Sequence, residues 1–272
     1  MKLQAYVEKF NTFFFDCDGV LWEGEKLIPF AKEVILYLRE KKKNIFFISN
    51  NSTKSVTNYI KKFENYGIPV NEKEIMISSL ATLKYLEKQS AISNIYIVGE
   101  EGLIDSIRQG GYNVFHDDIE NDSIKQIDLV VVGMDRTFNY RVLTIAIRAI
   151  INGARFIGTN SDPTYPSDDG ISPGAGSMIS AISGALNIVP EIICGKPDPF
   201  MANLLLNDSS LHLNHKKTLM IGDRVSTDLL FAKNAGIEGL LVKTGFGKIE
   251  FEQYPTFPYF KVLNSVKDLL IF

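Results

Sequence analysis

Short apolar segments alternate with segments of helical periodicity along almost the whole chain, and this alternation constrains the fold most strongly. Near the N-terminus, TFFFD predicts a strand, PFAKEVILYLREKKK a helix and NIFFIS a second strand. Late in the chain, KTLMIGD, VSTDLLFAKNAG and GLLVKTG repeat that order. Strands that alternate with helices of this length predict parallel βαβ units. The expected fold class is α/β, with a doubly wound, Rossmann-like parallel sheet whose two faces are both covered by helices.

The middle of the chain repeats the pattern with strands of its own, NIYIVGE, DLVVVGM and RFIGTNS. A single sheet could hold all of these strands. The candidate catalytic and binding residues, however, cluster at the two ends of the chain, which favours two domains. We therefore expect a discontinuous core formed by residues 1–79 and 191–272, with an inserted α/β domain at residues 80–190.

Composition narrows the class of protein. The 272 residues are 45% hydrophobic and carry a formal net charge of -3, which is typical of a globular protein and does not suggest a nucleic-acid partner. Two cysteines cannot supply a disulfide framework. No apolar stretch approaches the ~20 residues that cross a bilayer, and the N-terminus is too short and too charged for a signal peptide. A cytoplasmic protein without membrane partners is expected.

Charged side chains follow several of the predicted strands at the point where each strand ends. FFFDCD ends in Asp16 and Asp18, LMIGD ends in Asp223 with Asp228 one helical turn further on, and EIICGK ends in Lys196. Ligands of parallel α/β sheets bind beyond the carboxyl ends of the strands. These segments should therefore converge on one edge of the core sheet.

The convergence predicts the chemistry of the site. Several carboxylates with room for water suit Mg²⁺, which binds few protein oxygens and keeps waters and a substrate phosphate. A lysine and the polar run after NIFFIS would take the remaining phosphate oxygens, and a helix that begins directly after SNNS would add N–H groups. A carboxylate can also be the nucleophile that forms an aspartyl-phosphate. The polar run consists of Ser49, Asn50 and Asn51.

At these residues the chain resembles the haloacid dehalogenase superfamily of phosphatases. DCDGVLW is similar to the first motif of that family, ISNNS to the second, GKPDP to the third and GDRVSTD to the fourth. The resemblance covers nearly the whole length and is closest to the capped subgroup of p-nitrophenylphosphatases, phosphoglycolate phosphatases, chronophin and NagD. In that subgroup an α/β cap lies between the second and third motifs, where the inserted domain is expected here.

The resemblance implies a role for each acidic residue. Asp16 would be the nucleophile and a Mg²⁺ ligand. Asp18 would protonate the leaving oxygen, later activate water, and give its backbone carbonyl to the metal. Asp223 would be a further metal ligand, and Asp228 would hold the metal site or Lys196 in place without binding the ion.

The resemblance also implies substrate contacts. Lys196 would neutralise charge near the phosphoryl group, whose oxygens would be held by Ser49, Asn50 and Asn51. Tyr165 stands in the segment where cap-bearing relatives have a substrate-contacting residue, and the corresponding residue of chronophin is a histidine. Cys17 should be a small buried residue, since strand alternation turns it away from the acids. Trp22 is expected in the core or at the entrance to the site.

The function that follows is Mg²⁺-dependent hydrolysis of a small phosphomonoester, such as p-nitrophenyl phosphate or phosphoglycolate, through an aspartyl-phosphate. Three alternatives stay open: a phosphomutase, another aspartyl-nucleophile phosphotransferase, and a non-catalytic protein that binds phosphorylated metabolites. The expected partner is a small phosphorylated metabolite, with a possible homodimer through the cap.

Overall fold

The structure is a computed structural model that describes residues 2–167 and 170–271, with the backbone alone for residues 166 and 167. Met1, Asp168, Asp169 and Phe272, which the expected domain boundaries include, lie outside the described residues. The chain divides into two compact units. The first consists of Met1–Ser49, Tyr59–Met76 and Lys196–Phe272, and the second of Asn50–Asn58 and Ile77–Gly195. Residues 50–58, which the sequence places in the core, are thus grouped with the inserted segment.

Sixteen strands occur in the described residues. In chain order they are β1 Lys2–Leu3, β2 Thr12–Phe15, β3 Trp22–Glu23, β4 Lys26–Leu27, β5 Asn44–Ser49, β6 Ile75–Ile77, β7 Asn94–Val98, β8 Asn113–His116, β9 Leu129–Val132, β10 Arg155–Gly158, β11 Thr164–Ser167, β12 Gly170–Pro173, β13 Thr218–Gly222, β14 Glu238–Val242, β15 Lys261–Leu263 and β16 Leu270–Ile271.

Eleven α-helices accompany these strands in the same described ranges. They are α1 Ala5–Glu8, α2 Ala31–Glu40, α3 Val56–Asn65, α4 Ser78–Leu86, α5 Glu101–Gln109, α6 Asn121–Ile124, α7 Tyr140–Ile151, α8 Ala175–Leu186, α9 Phe200–Leu206, α10 Leu230–Asn234 and α11 Gly247–Gln253. A π-helical turn at Val225–Leu229 leads into α10, and short 3₁₀ turns lie at Glu72–Glu74, His215–Lys217 and Val266–Leu269. None of the helices in this part of the chain is long and apolar enough to cross a membrane.

The first unit is built on a six-stranded sheet in the order β15-β14-β13-β2-β5-β6. The pairings from β15 to β5 are parallel. Every residue of β2 is buried, as expected for a central strand covered on both faces. Because β13 lies beside β2 with Ile221 opposite Phe15, the residues that follow these two strands emerge side by side.

Two helices near the N-terminus begin later in the chain than the sequence pattern predicts. The periodicity of PFAKEVILYLREKKK places Phe30, Val34 and Leu38 on one helical stripe. That helix begins at Ala31, because Phe30 takes a left-handed conformation with φ 68°, while Val34 and Leu38 are buried. The second begins at Val56 and not directly after SNNS. The expectation that its N-terminus directly follows the polar run is therefore wrong.

The second unit contains a four-stranded parallel sheet in the order β10-β9-β7-β8. Alternate residues of its strands enter two apolar clusters: Tyr96 and Val98 belong to one cluster, Ile95 and Ile97 to the other. Both faces of this sheet are therefore buried, which confirms the parallel βαβ prediction for the middle of the chain. An antiparallel hairpin, β11–β12, accompanies the sheet.

The expected strand before Lys196 does not form. Its only β-type pairing among the described residues is an isolated bridge between Ile193 and Gly158 at the end of β10, supported by a hydrogen bond from Cys194 N–H to Gly158 O at 2.9 Å. The segment up to Gly195 thus belongs to the second unit. Lys196 itself is the first residue of the returning chain of the first unit.

Candidate active site

The sheet of the first unit presents Asp16 directly after β2. Pairing with β13 continues into this residue, since Asp16 N–H donates to Ile221 O at 2.9 Å. The side chain is buried. Burial of a carboxylate is costly without partners, so the neighbouring groups determine what Asp16 can do.

The principal partner is Lys196, whose side chain is 2% exposed. Its ammonium donates to Asp16 Oδ1 at 2.5 Å, to Asp228 Oδ1 at 2.6 Å and to Ile48 O at the end of β5 at 3.1 Å. Burial alone lowers the pKa of a lysine, but Asp16 and Asp228 together outweigh that effect and raise the pKa of Lys196. The ammonium therefore stays charged and links three segments of the unit.

Asp223 follows β13 and is 2% exposed. Its Oδ2 accepts the backbone N–H of Phe246 at 2.8 Å. Two glycines make room for the carboxyl group: Gly19, with φ 84°, and Gly245, with φ 56°, each lie where an added Cβ would collide with it. Positive φ values favour glycine on their own, so these two positions serve both the turn and the close approach of the carboxylate.

Asp228 lies in the π-helical turn and is also buried. Its Oδ2 accepts the N–H of Arg224 at 3.0 Å, while its Oδ1 accepts from Lys196. The turn is held from outside by Glu250 of α11, which accepts the N–H groups of Val225 and Ser226 at 3.0 and 3.1 Å and the Ser226 hydroxyl at 3.0 Å. A carboxylate at the first N–H groups of a helical turn is stabilising.

These residues form a candidate metal centre. Asp16, Asp223 and Asp228 each offer a carboxylate oxygen, and the three oxygens lie within 4.8 Å of one another. The carboxyl groups of Asp16 and Asp223 thus lie close together, as convergence on one sheet edge predicts, and their binding of an ion stays a prediction. Asp228, which the sequence places behind the metal ligands, is as close as they are and also contacts Lys196.

The electrostatics of the cluster fit a divalent cation. Two of the three buried carboxyl groups, those of Asp16 and Asp228, contact the ammonium of Lys196, and three ionised carboxylates beside one ammonium would leave an excess of negative charge. Desolvation raises the pKa of Asp16 to about 8, with Lys196 acting against it and Asp228 adding to it. Desolvation, followed by Asp16 and Asp228, raises the pKa of Asp223 well above its usual range. A hard cation with oxygen ligands would relieve this penalty, so the donor set fits Mg²⁺.

Asp18 lies one residue beyond Cys17. Its Oδ1 accepts the indole N–H of Trp22 at 2.9 Å. Although solvent reaches this residue, desolvation by the surrounding protein raises its pKa, and the ammonium of Lys62 and the Trp22 hydrogen bond act in the opposite direction. Cys17 between the two acids is buried, as predicted, and desolvation raises its thiol pKa.

The polar run after β5 is divided between the two units. Ser49 is buried in the first unit, where its hydroxyl hydrogen-bonds the Tyr59 hydroxyl at 2.8 Å. Desolvation raises the pKa of Tyr59 well above its usual value, so the phenol stays protonated.

The next two residues belong to the second unit. The side-chain amide of Asn50 donates to Asp162 Oδ2 at 2.8 Å, and its backbone carbonyl accepts from Ser78 Oγ at 2.7 Å. Asn51 Oδ1 accepts the N–H and the hydroxyl of Thr53, both at 2.8 Å. The two side chains thus have structural partners within their own unit, and phosphoryl binding by them stays a prediction.

Tyr165 is a half-buried residue of the β11–β12 hairpin, opposite Ser172. Its predicted contact with substrate stays a prediction.

Several contributors to the site were not found from the sequence. Phe246 acts through its backbone N–H, which no residue letter reveals. Glu250 lies 25 residues from the turn that it holds. Gly19 offers a signal, since glycine next to an acidic strand end is consistent with close backbone approach, although glycine in turns is common for other reasons. Gly245 follows Lys243 and Thr244 and offers no such signal.

The comparisons with known proteins agree with this geometry. Residues 13–113 match the family described as haloacid dehalogenase-like hydrolase, and residues 193–269 match the family described as HAD-hydrolase-like. Phosphoglycolate phosphatase 1A, chloroplastic, from Arabidopsis thaliana is 37% identical over 269 residues, which cover 92% of this chain and 73% of the relative. The chain belongs to the haloacid dehalogenase-like hydrolases.

Other similar proteins carry different substrate names. The 5'-nucleotidase YutF of Bacillus subtilis is 31% identical over 244 residues, covering 90% of this chain and 91% of the relative. The solved p-nitrophenyl phosphatase from Archaeoglobus fulgidus has a TM-score of 0.86 and 29% identity, covering 96% of this chain and 98% of that one. The α/β fold and the family assignment made from the four motifs are therefore confirmed, and the relatives share phosphate-ester hydrolysis while differing in the ester.

Proposed function

We propose that this chain is a Mg²⁺-dependent phosphatase that hydrolyses small phosphomonoesters through an aspartyl-phosphate on Asp16. The observation that carries the proposal is the buried contact of Lys196 with Asp16 and Asp228, next to a carboxylate of Asp223. A structural acid at a strand end does not need two further acids and a buried ammonium. The family of the chain supports the same chemistry.

In the first step, a carboxylate oxygen of Asp16 attacks phosphorus, and the bond from phosphorus to the ester oxygen breaks. The departing oxygen takes a proton from Asp18, so that the alcohol leaves neutral. Lys196, held by two carboxylates, supplies positive charge beside the attacking group. Phosphoryl transfer depends mainly on such positioning and charge stabilisation.

In the second step, water attacks the phosphorus of the aspartyl-phosphate and gives a proton to the Asp18 carboxylate. The bond from phosphorus to the Asp16 oxygen breaks, which regenerates the Asp16 carboxylate and releases inorganic phosphate. One residue thus serves as acid and then as base, as a two-step hydrolysis requires.

The side chains of Asp16 and Asp223, together with the backbone carbonyl of Asp18, would hold Mg²⁺, and Asp228 would support them. When bound, the ion neutralises charge on the phosphoryl oxygens. The closeness of Asp228 to the other two carboxylates supports a direct contact with the ion as a second arrangement.

The relatives define the substrates worth testing. Their names include phosphoglycolate, 5'-nucleotides and p-nitrophenyl phosphate. We propose a small phosphorylated metabolite of this range, with the inserted segment at residues 80–190 as a cap and Tyr165 as a substrate contact. Tyr165→Phe should then change KM for one ester more than for another.

The test is phosphate release from p-nitrophenyl phosphate, phosphoglycolate and a nucleoside 5'-monophosphate, each with Mg²⁺ and with a chelator. Turnover of at least one ester that needs Mg²⁺ is expected. Turnover that survives complete chelation would contradict the metal dependence. Recovery of the phosphoryl group on another metabolite, and not as inorganic phosphate, would indicate a phosphomutase, and binding without turnover would indicate a phosphometabolite-binding protein.

A further inference from the structure

We propose that Trp22 is a positioning residue for the acid–base group: its indole N–H holds Oδ1 of Asp18, so that Oδ2 alone exchanges the proton with the leaving group and with water. This inference rests on the proposed function, because it assumes that Asp18 is the acid and base. The contact that carries it is the hydrogen bond from Trp22 Nε1 to Asp18 Oδ1 at 2.9 Å.

The backbone between the two residues makes this contact a built feature. The N–H groups of Leu21 and Trp22 both donate to Cys17 O, at 2.8 and 3.2 Å, and Gly19 N–H donates to Trp22 O at 2.7 Å. The chain therefore folds back on itself within a few residues. The positive φ of Gly19, 84°, permits that reversal. This reversal brings the indole of Trp22 next to the carboxyl group of Asp18.

Packing then immobilises the ring, which is 1% exposed. Phe63 meets it edge-on with ring centroids 5.0 Å apart, and Tyr66 and Tyr59 lie at 5.8 and 6.2 Å. Aromatic rings in such contacts leave the indole little freedom to rotate. The donor nitrogen is thereby aimed in one direction.

A cation completes the arrangement. The ammonium of Lys62 lies 4.8 Å from the centroid of the Trp22 ring and donates to Gly24 O at 2.8 Å. A positive charge over the indole face withdraws electron density from the ring. The N–H that points at Asp18 becomes a stronger donor as a result.

The chemistry of the two groups determines the proton's place. An indole N–H only donates, so its partner oxygen must remain an acceptor whether the carboxyl group is charged or neutral. The proton of the neutral acid therefore sits on Oδ2. An unrestrained carboxyl group would rotate and spread the proton over both oxygens, whereas a held one presents a single oxygen to the reaction. Positioning of this kind contributes to the rate because proton transfer requires hydrogen-bond geometry.

The first experiment uses a series of substituted phenyl phosphates of similar shape and increasing leaving-group basicity. Good leaving groups need little help from an acid, whereas poor ones depend on it. Trp22→Phe keeps an aromatic ring but removes the N–H, and should lower kcat/KM by about tenfold for the poorest leaving group and by less than about twofold for p-nitrophenyl phosphate. Phe10→Leu, which alters a buried aromatic pair with Phe260 that does not include Trp22, should affect all esters alike.

A double-mutant cycle separates positioning from general damage. In an Asp18→Asn background, which already lacks the acid, Trp22→Phe should cost no further activity. Equal losses for Trp22→Phe across the whole ester series, or full additivity with Asp18→Asn, would overturn the proposal.

A second measurement does not depend on turnover or on the stability of Trp22→Phe. Trp22 is the one tryptophan in the sequence, so ¹⁵N-indole labelling gives a single side-chain N–H resonance. That resonance should shift upfield in Asp18→Ala and stay in place in Glu40→Ala, which removes a surface carboxylate paired with Lys41. An unchanged resonance in Asp18→Ala would contradict the contact. If Asp16→Asn kept wild-type turnover, the proposed function would fail, while the spectroscopic result on the Trp22–Asp18 contact would still stand.

Discussion

The two compact units are built on the same kind of sheet. Only in the first do the described strand ends lead into buried carboxyl groups with raised pKa values. In the first unit the ends of β2 and β13 lead into Asp16 and Asp223, buried beside Lys196. In the second unit β7 and β9 lead into glycines and β10 into Thr159 and Asn160, while β8 leads into the exposed Asp117 and Asp118, which pair with His116 and Arg141. Its buried acid near a strand end, Asp135, is satisfied locally by the N–H and hydroxyl of Thr137 at 2.8 and 2.7 Å.

The difference shows that the parallel α/β scaffold does not define a site by itself. Both sheets bury both faces and end in loops at their carboxyl edges. What distinguishes the first is a set of carboxyl groups whose pKa values are raised by desolvation and, to a smaller extent, by the neighbouring carboxylates. Such clusters mark functional sites more reliably than topology does.

The largest expected effect comes from the same substitution made once in each unit. Asp16→Asn removes the nucleophile and should lower kcat by at least about 10³-fold. Asp135→Asn alters a buried acid that only closes a turn, so its kcat should stay within about twofold of wild type. Steady-state phosphate release measures both. Comparable activity in the two variants would remove the distinction between the sheets.

Removing a buried cation from the first unit should cost more unfolding free energy than removing a partly exposed cation from the second. Lys196→Met leaves Asp16 and Asp228 buried without their cation, which should cost about 3–5 kcal/mol. Arg155 of the second unit pairs with Glu191 at 2.7 Å on the surface, so Arg155→Met should cost about 1 kcal/mol or less. Denaturant unfolding in the presence of a chelator compares them. Equal losses would show that the buried ammonium is not balancing the acids.

The stability of the metal-free protein should depend on pH. Because burial raises the pKa of Asp16 to about 8 from 3.8, the folded state binds a proton that the unfolded state has released between these values. The contribution of Asp16 to the free energy of unfolding is therefore fully present below about pH 4. It is lost as the pH rises towards 8, at up to about 1.4 kcal/mol per pH unit. Unfolding curves between about pH 5 and 8 with a chelator should show this slope.

Two controls sharpen that prediction. Asp16→Asn should reduce the slope, because it removes one of the two carboxyl groups with a raised pKa and leaves Asp223. Saturating Mg²⁺ should flatten the slope by binding the ionised carboxylates. Asp135→Asn should leave the slope unchanged. A chelated wild type that gains stability over this range would refute the assignment of excess negative charge to the first sheet.

The smallest effect concerns glycine. Gly19→Ala would drive a Cβ into the Asp223 carboxyl group at a positive φ, and should weaken Mg²⁺ binding by about tenfold and cost about 1–2 kcal/mol. Gly184 of α8 has open space where an added Cβ would lie, so Gly184→Ala should gain about 0.5–1 kcal/mol and leave Mg²⁺ binding alone. Calorimetric titration and thermal unfolding test the pair; unchanged Mg²⁺ affinity in Gly19→Ala would argue against a metal at Asp223.

Much of this arrangement is predictable because neighbouring parallel strands must end at one edge. The alternation of apolar runs places Asp16 and Asp223 after strands, and the rule for parallel sheets then brings them together. Lys196 is different: no strand precedes it, since the segment before it makes only a bridge to Gly158 within the described chain. The strand-end rule placed it at the site through a strand that does not form, and the resemblance to a known motif placed it there independently.

The remaining errors arise where local polar contacts compete with periodicity. Helix α3 begins at Val56, because Asn51 closes a turn with Thr53, and Ser55 accepts the N–H of Asn58 as a cap would. The partner of Trp22 could not be assigned either. A tryptophan after an acidic turn predicts burial, but which group its N–H meets depends on a backbone reversal that residue letters do not reveal.

The most direct test of the central claim is to quench the enzyme with acid during turnover of p-nitrophenyl phosphate and map the phosphoryl group by mass spectrometry of its peptides. In the presence of Mg²⁺, one phosphoryl group should appear on the peptide that contains Asp16, and none should appear in the Asp16→Asn variant. A phosphoryl group on any other residue, or wild-type turnover by Asp16→Asn, would contradict it.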